Sequence, residues 1–143
     1  MKRSVTITFE IPATLTAIDE LCVRAKSWLK ENGLEKDRFA MSMLLRESLN
    51  NAVVHGCCEN PDVCILCELR LGRKWLSILV DDGGPGYDWA NRRKQRACNE
   101  DVNGRGLEIY HLYADEVVFN RLGNRVLLRR RLREGEEGAI SSN

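Results

Sequence analysis

The chain has 143 residues, 43% hydrophobic and 30% charged, with a formal net charge of +1; that length fits one domain with one core, and the mixture is ordinary for a globular protein. The near-neutral balance gives no reason to expect nucleic acid or an anionic membrane as the main partner, and no apolar run approaches the ~20 residues of a membrane helix. With no signal-peptide core, the six cysteines are expected to be reduced thiols in a cytoplasmic protein rather than a disulfide framework.

Residues 4–11 alternate, with Val5, Ile7, Phe9 and Ile11 on one side, which predicts a half-buried strand that Pro12 stops. From 14 to 32, Leu15, Ile18, Leu21, Cys22, Ala25, Trp28 and Leu29 recur at helical spacing, and Asn32-Gly33 supplies a C-terminal stop. A second helix is predicted from about Glu35 to about His55, closed by Gly56. Residues 62–71 and 74–82 read as a hairpin around Gly72-Arg73. Residues 87–103 lack sustained periodicity and read as a loop, basic at Arg92, Arg93, Lys94 and Arg96, a charge run whose commoner meaning is a solvated face. Residues 105–113 have the length of a short helix. A final hairpin, 115–122 and 125–133, turns at Gly123-Asn124, and 134–143 is expected to be a disordered tail.

Strand, helix, helix, strand, strand, loop, helix, strand, strand is the order of an α+β, two-layer α/β sandwich. Helices are expected on one face of a mixed, mostly antiparallel sheet. Cys64 and Cys67 have the spacing of a metal pair, but on a strand residues three apart point to opposite faces and cannot share one tetrahedral ion. Buried or inert thiols are the expectation, with Cys57 and Cys58 in a loop.

Three segments carry chemistry. In Glu47-Ser48-Leu49-Asn50-Asn51 the carboxylate and the carboxamide are four apart, on one helix face. Such a pair can hold a hydrated cation and poise a base beside it, or be a solvated face. In Asp81-Asp82-Gly83-Gly84-Pro85-Gly86, Asp82 ends the apolar stripe Leu76, Ile78, Val80. A carboxylate there needs a donor, which an exocyclic amine such as adenine's supplies, and the glycines let a ligand lie against bare backbone. The competing meaning is a tight turn with a capping Asp. Asn103-Gly104-Arg105-Gly106-Leu107 opens a predicted helix, where free N–H groups suit phosphate; an ordinary loop-to-helix junction has the same look.

Together and in this order, the segments resemble the GHKL (Bergerat-fold) superfamily of ATPases and kinases, which includes gyrase, MutL and histidine kinases. Glu47 and Asn51 match its N box, Asp82-Gly83-Gly84-Pro85-Gly86 its first glycine box, and Gly104-Arg105-Gly106-Leu107 its second. Asn51-Ala52-Val53-Val54-His55-Gly56 and Gly84-Pro85-Gly86-Tyr87-Asp88 look like the stand-alone anti-sigma factor serine/threonine kinases of the RsbW and sporulation type. The resemblance runs from about Val5 to Arg131, within an ATPase domain of residues 1–133.

The resemblance implies ATP and Mg²⁺ as cofactors. It makes Asn51 the Mg²⁺ ligand, Asp82 the partner of the adenine amine, and Gly84 and Gly86 the lining of the adenine pocket. Gly104 and Gly106, with Leu107 of the same box, would cradle phosphates, and Arg105 would steady a β- or γ-phosphate. Glu47 would be the general base. One departure is that Gly123-Asn124-Arg125 lacks the Gly-Thr pair of the last strand. The implied function is a serine/threonine kinase that phosphorylates an anti-anti-sigma-like partner, sequesters a sigma factor and forms a homodimer. A nucleotide-dependent binding switch and a histidine-kinase-like catalytic domain are the alternatives. Retention of Glu47 favours an enzyme, and no segment resembles a phosphoacceptor helix.

Overall fold

The computed structural model describes residues 4–56, 62–84 and 100–132, with backbone alone at Gly56 and at 100–106. Strand β1 (Val5–Pro12) leads to α1 (Leu15–Glu31), then to a 3₁₀ turn (Glu35–Asp37) and α2 (Arg38–Asn51). A π-helical turn (Ala52–Gly56) closes α2. Then come β2 (Cys64–Leu71), β3 (Trp75–Asp81), α3 (Glu100–Tyr113), β4 (Glu116–Phe119) and β5 (Arg125–Arg131).

Helix α1 begins where the Thr14 hydroxyl accepts the Ala17 N–H at 3.1 Å, a side-chain cap for an otherwise orphan donor. It ends where Gly33 takes φ 72°. There the N–H groups of Leu34 and Gly33 return to the carbonyls of Leu29 and Lys30 at 2.8 and 3.1 Å, the paired closure that a left-handed glycine permits. The expected apolar stripe is buried from Ile18 to Leu29, but Leu15 is exposed.

The five strands form one sheet in the order β1-β2-β3-β5-β4. Every pairing is antiparallel, so the sheet is not mixed among the described strands. The register stacks apolar residues on one face: Phe9 opposite Cys67, Cys67 opposite Val80, and Val80 opposite Val126. The helices cover that face, and together they bury Ile18, Met41, Leu44, Leu49, Ile65, Leu69, Ile78, Leu128 and Tyr110. Helix α2 lies between α1 and α3 and packs on β3. That contact carries its C-terminal end toward the end of β3, where Asp82 lies.

Three elements differ from the sequence expectation. Helix α3 is already formed at Glu100, the first described residue after Gly84, so 100–103 are helical rather than loop. Gly104 and Gly106 therefore sit inside the helix rather than at its N-terminus. The last hairpin is shorter, with a turn over 120–124 in place of a two-residue turn. Its closure comes from the Asn120 carboxamide, whose Oδ1 accepts the N–H groups of Gly123, Asn124 and Arg125 at 2.9, 3.1 and 3.1 Å. Finally, α2 gives way to the π turn after Asn51. The expectations for 85–99 and for the 134–143 tail lie outside the described residues. Among the described residues, no helix is long and apolar enough to cross a membrane.

Candidate functional site

Asn51 is the last α-helical residue of α2, and it is buried at 4% exposure. The π turn after it widens the helix at this point, a distortion found often at functional sites. The Asn51 Nδ2 donates to the Tyr110 hydroxyl of α3 at 3.0 Å. One turn earlier Glu47 is half-buried. Between them the Ser48 hydroxyl turns back to the carbonyls of Leu44 and Leu45 at 2.7 and 3.1 Å, a local bond that satisfies a buried polar group within its own helix.

Asp82 continues the buried stripe of β3, as the alternation required, and is 8% exposed. Its Oδ1 accepts the Gly84 N–H at 2.6 Å, while Asp81 Oδ1 accepts the Gly83 N–H at 2.9 Å. Gly83 has φ 69° with open space around it. The glycine is there for its backbone conformation rather than for a close neighbour. Burial pushes the Asp82 carboxyl up from its ordinary value; the Gly84 bond pulls it back, and the Asp81 charge adds to the rise. A desolvated acceptor of this kind favours a donor that enters with its own apolar ring.

The turn between β4 and β5 closes the same corner. Asn124 donates Nδ2 to the Gly84 carbonyl at 2.9 Å, and its own carbonyl accepts the Asp82 N–H at 3.0 Å. Asp81 Oδ2 is held by Arg125 through Nε at 3.1 Å and Nη2 at 2.8 Å. Asn124 thus occupies the stretch where the Gly-Thr pair is missing and ties down the glycine segment instead. Its signal in the sequence was that departure alone.

Ser48, Asn51, Asp82, Tyr110, Phe119 and Asn124 all line one cleft. Asn51 and Asp82, 31 positions apart in the sequence, are brought together there. Between the described walls the cleft measures about 20 Å³, against roughly 300–1,000 Å³ for small-molecule sites. A larger hollow of about 450 Å³ lies on the opposite sheet face around Trp75, Leu79, Leu127 and Arg129. It carries none of the three motif segments, and we assign the site to the smaller cleft on chemical grounds.

The other expected residues divide. Gly84 is half-buried beside Asp82, and Leu107 packs against the hydrophobic core. Gly104 and Gly106 are placed by backbone within α3. Gly86 and the side chain of Arg105 lie outside the described residues. Glu47 is not among the residues that line the cleft. Tyr110, Phe119 and Asn124 are cleft residues that the sequence reading did not select. Cys67 is buried in the core, which pushes its thiol far up, and Cys64 is exposed, so the pair does point to opposite faces.

A family model described as a histidine kinase-like ATPase domain matches residues 11–130. The match runs from the end of β1 to the penultimate residue of β5 and includes all three motif segments. No curated protein matches the chain.

Proposed function

The chain belongs to the histidine kinase-like ATPase family, an ATP-binding family, and from that premise we propose that it is a protein serine/threonine kinase of the anti-sigma type. Its substrate on this reading is an anti-anti-sigma-like protein, and it sequesters a sigma factor. The observation that carries the enzymatic reading is the retention of Glu47, half-buried one helical turn before Asn51. Nucleotide binding alone needs Asn51, Asp82 and the glycines, whereas a carboxylate in that position gives the chain a base.

The donor set fits Mg²⁺. Asn51 presents a carboxamide whose nitrogen is already engaged by Tyr110, and among the described residues no hydrogen bond engages its oxygen. A hard cation takes oxygen ligands; when bound, it would neutralise charge on the phosphates. On this reading Asp82 accepts the adenine amine, and Gly84 and Gly86 leave room for the base. The resemblance assigns the phosphates to Gly104, Gly106 and Arg105; the two glycines lie inside α3 with their N–H groups paired, so on this reading the start of α3 unwinds to present them. Glu47 accepts the proton of a serine hydroxyl as its oxygen bonds to the γ-phosphorus, and the bond from that phosphorus to the bridging oxygen breaks to release ADP.

Incubation with γ-labelled ATP and a lysate of the source organism tests the reading. A small protein with acid-stable label is the expected result. Acid-labile label supports the histidine-kinase alternative, and no label on any protein supports a nucleotide-dependent binding switch.

A further inference from the structure

We propose that Tyr110 is a positioning residue for the cation: its hydroxyl holds the Asn51 carboxamide with Oδ1 turned toward the nucleotide. The inference rests on the reading of Asn51 as a metal ligand, and it adds a residue that none of the motif segments contains. A carboxamide has a donor end and an acceptor end of almost the same shape, and a half-turn about χ2 exchanges them. Only one of the two orientations offers a cation an oxygen. The other presents an N–H₂ group, which repels it. An asparagine ligand therefore needs something that selects its orientation.

Tyr110 meets that need. Its hydroxyl is the acceptor for Asn51 Nδ2 at 3.0 Å, in a contact buried on both sides and 59 residues apart in sequence. Tyr110 itself is 1% exposed, so water does not compete for the bond. Its ring is held against Phe119, with centroids 6.3 Å apart, and both residues line the cleft. A ring wedged in this way gives its oxygen little freedom; on this proposal the hydroxyl commits its own proton to a second acceptor, since a hydroxyl that could donate to Asn51 would satisfy either orientation of the carboxamide. The partner of a ligating group commonly fixes that group's orientation from the far side.

The location of Tyr110 adds a consequence. It lies four residues after Gly106 on α3, one turn along the same helix face. The helix that carries Gly104 and Gly106 is thereby linked through one hydroxyl to Asn51.

The test is Tyr110→Phe in the full chain, which keeps the ring and removes the oxygen. Nucleotide affinity is measured in EDTA and across a Mg²⁺ titration, in the parent, in Tyr110→Phe and in Asn51→Ala. The expected result is nucleotide affinity in EDTA within about twofold of the parent and Mg²⁺ affinity of the nucleotide complex weaker by roughly 10–100-fold. Equal losses with and without Mg²⁺ would show a merely structural role and overturn the proposal. If Asn51→Ala loses Mg²⁺ dependence while Tyr110→Phe keeps it, Asn51 is a ligand and Tyr110 does not position it. If Asn51→Ala keeps Mg²⁺ dependence, the metal-ligand reading itself is wrong, and the proposal falls with it.

Asn51→Asp gives a second check, because a carboxylate offers oxygen in either orientation. In that background Tyr110→Phe should change Mg²⁺ affinity by no more than about threefold; a full-size loss there overturns the orientation mechanism. A measurement on the parent avoids the question of folding. The Asn51 side-chain N–H₂ resonances should exchange with solvent far more slowly than those of an exposed asparagine, and exchange at the exposed rate overturns the proposal.

Discussion

Asn124 grips both ends of the segment Asp82-Gly83-Gly84: its carbonyl accepts the Asp82 N–H at 3.0 Å, and its Nδ2 donates to the Gly84 carbonyl at 2.9 Å. The first bond is made by backbone and survives substitution, while the second depends on the side chain. Asn124→Ala is therefore expected to keep the Asp82 bond, loosen the Gly84 end, and release the Asn120 Nδ2 that donates to Asn124 Oδ1 at 2.7 Å. A neutral hydrogen bond contributes about 0.5–1.5 kcal/mol, so calorimetric titration should find ATP bound roughly two- to tenfold more weakly. Wild-type affinity would mean that the glycine segment holds its shape without this tether.

Asp82→Asn should abolish measurable ATP binding in a chain that still folds. It removes a charged acceptor, worth about 1.5–3 kcal/mol, and can present a donor to the adenine amine in its place. Unchanged affinity in calorimetry would remove Asp82 from the adenine site.

The same carboxyl sets a pH dependence. Burial holds it above its ordinary 3.8, so between the unfolded value and the raised folded value the folded chain carries the extra proton. The contribution of Asp82 to stability is thus present below that window and declines as pH rises through it. Without the buried charge, ligand-free Asp82→Asn should melt no lower than the parent at pH 7. ATP affinity runs the opposite way in the parent, rising with pH through the window, because the amine needs an ionised acceptor. A thermal melt of the variant and titrations of the parent at stepped pH check both signs.

Glu47→Ala and Asn51→Ala should separate chemistry from binding. Loss of the base should leave Mg-ATP affinity nearly intact and slow phosphoryl transfer by about 10²–10⁴-fold. Asn51→Ala should lose Mg²⁺-dependent binding and transfer together. Transfer by Glu47→Ala at the parental rate would remove it from the mechanism.

A homodimer is expected from the side of the sheet that no described helix covers. Strand β1 is an edge, and the face opposite the helices exposes Val118 beside the half-buried Leu79, Leu127 and Trp75. Arg129 lies over the Trp75 ring at 4.0 Å. Exposed edges and apolar patches of this kind need cover. Light scattering at micromolar concentration should report twice the chain mass, and Leu127→Glu should shift it toward the monomer. A parental monomer would count against the assembly.

The buried Asp37 pairs with the partly buried Arg130 at 2.9 Å, and Arg130 Nη1 also donates to the Tyr113 carbonyl at 2.6 Å. The pair joins the 3₁₀ turn before α2 to β5 and the end of α3. Asp37→Ala leaves the guanidinium without its counter-ion and should cost roughly 3 kcal/mol, the lower end for breaking a buried pair. Chemical denaturation measures the loss.

The sequence alone determined what depends on a short local period. Alternation placed β1 and the face of β3 that ends in Asp82, the 3.6-residue repeat placed α1, and Asn32-Gly33 marked the end of α1. Three short segments in order identified the family, because each has to place a particular group within a few residues of a fixed backbone shape. The tertiary structure decided what depends on residues that meet across the fold. The Asn51–Tyr110 bond spans 59 positions, the Asn124–Gly84 bond 40 and the Asp37–Arg130 pair 93, and no periodic signal links such partners. The π turn after Asn51 was also hidden, since its wider hydrogen-bond spacing leaves no mark in a 3.6-residue pattern. Side-chain order along a strand or helix follows from the chain, but which polar atom satisfies which other is chosen only when the helices settle on the sheet and water is excluded from between them.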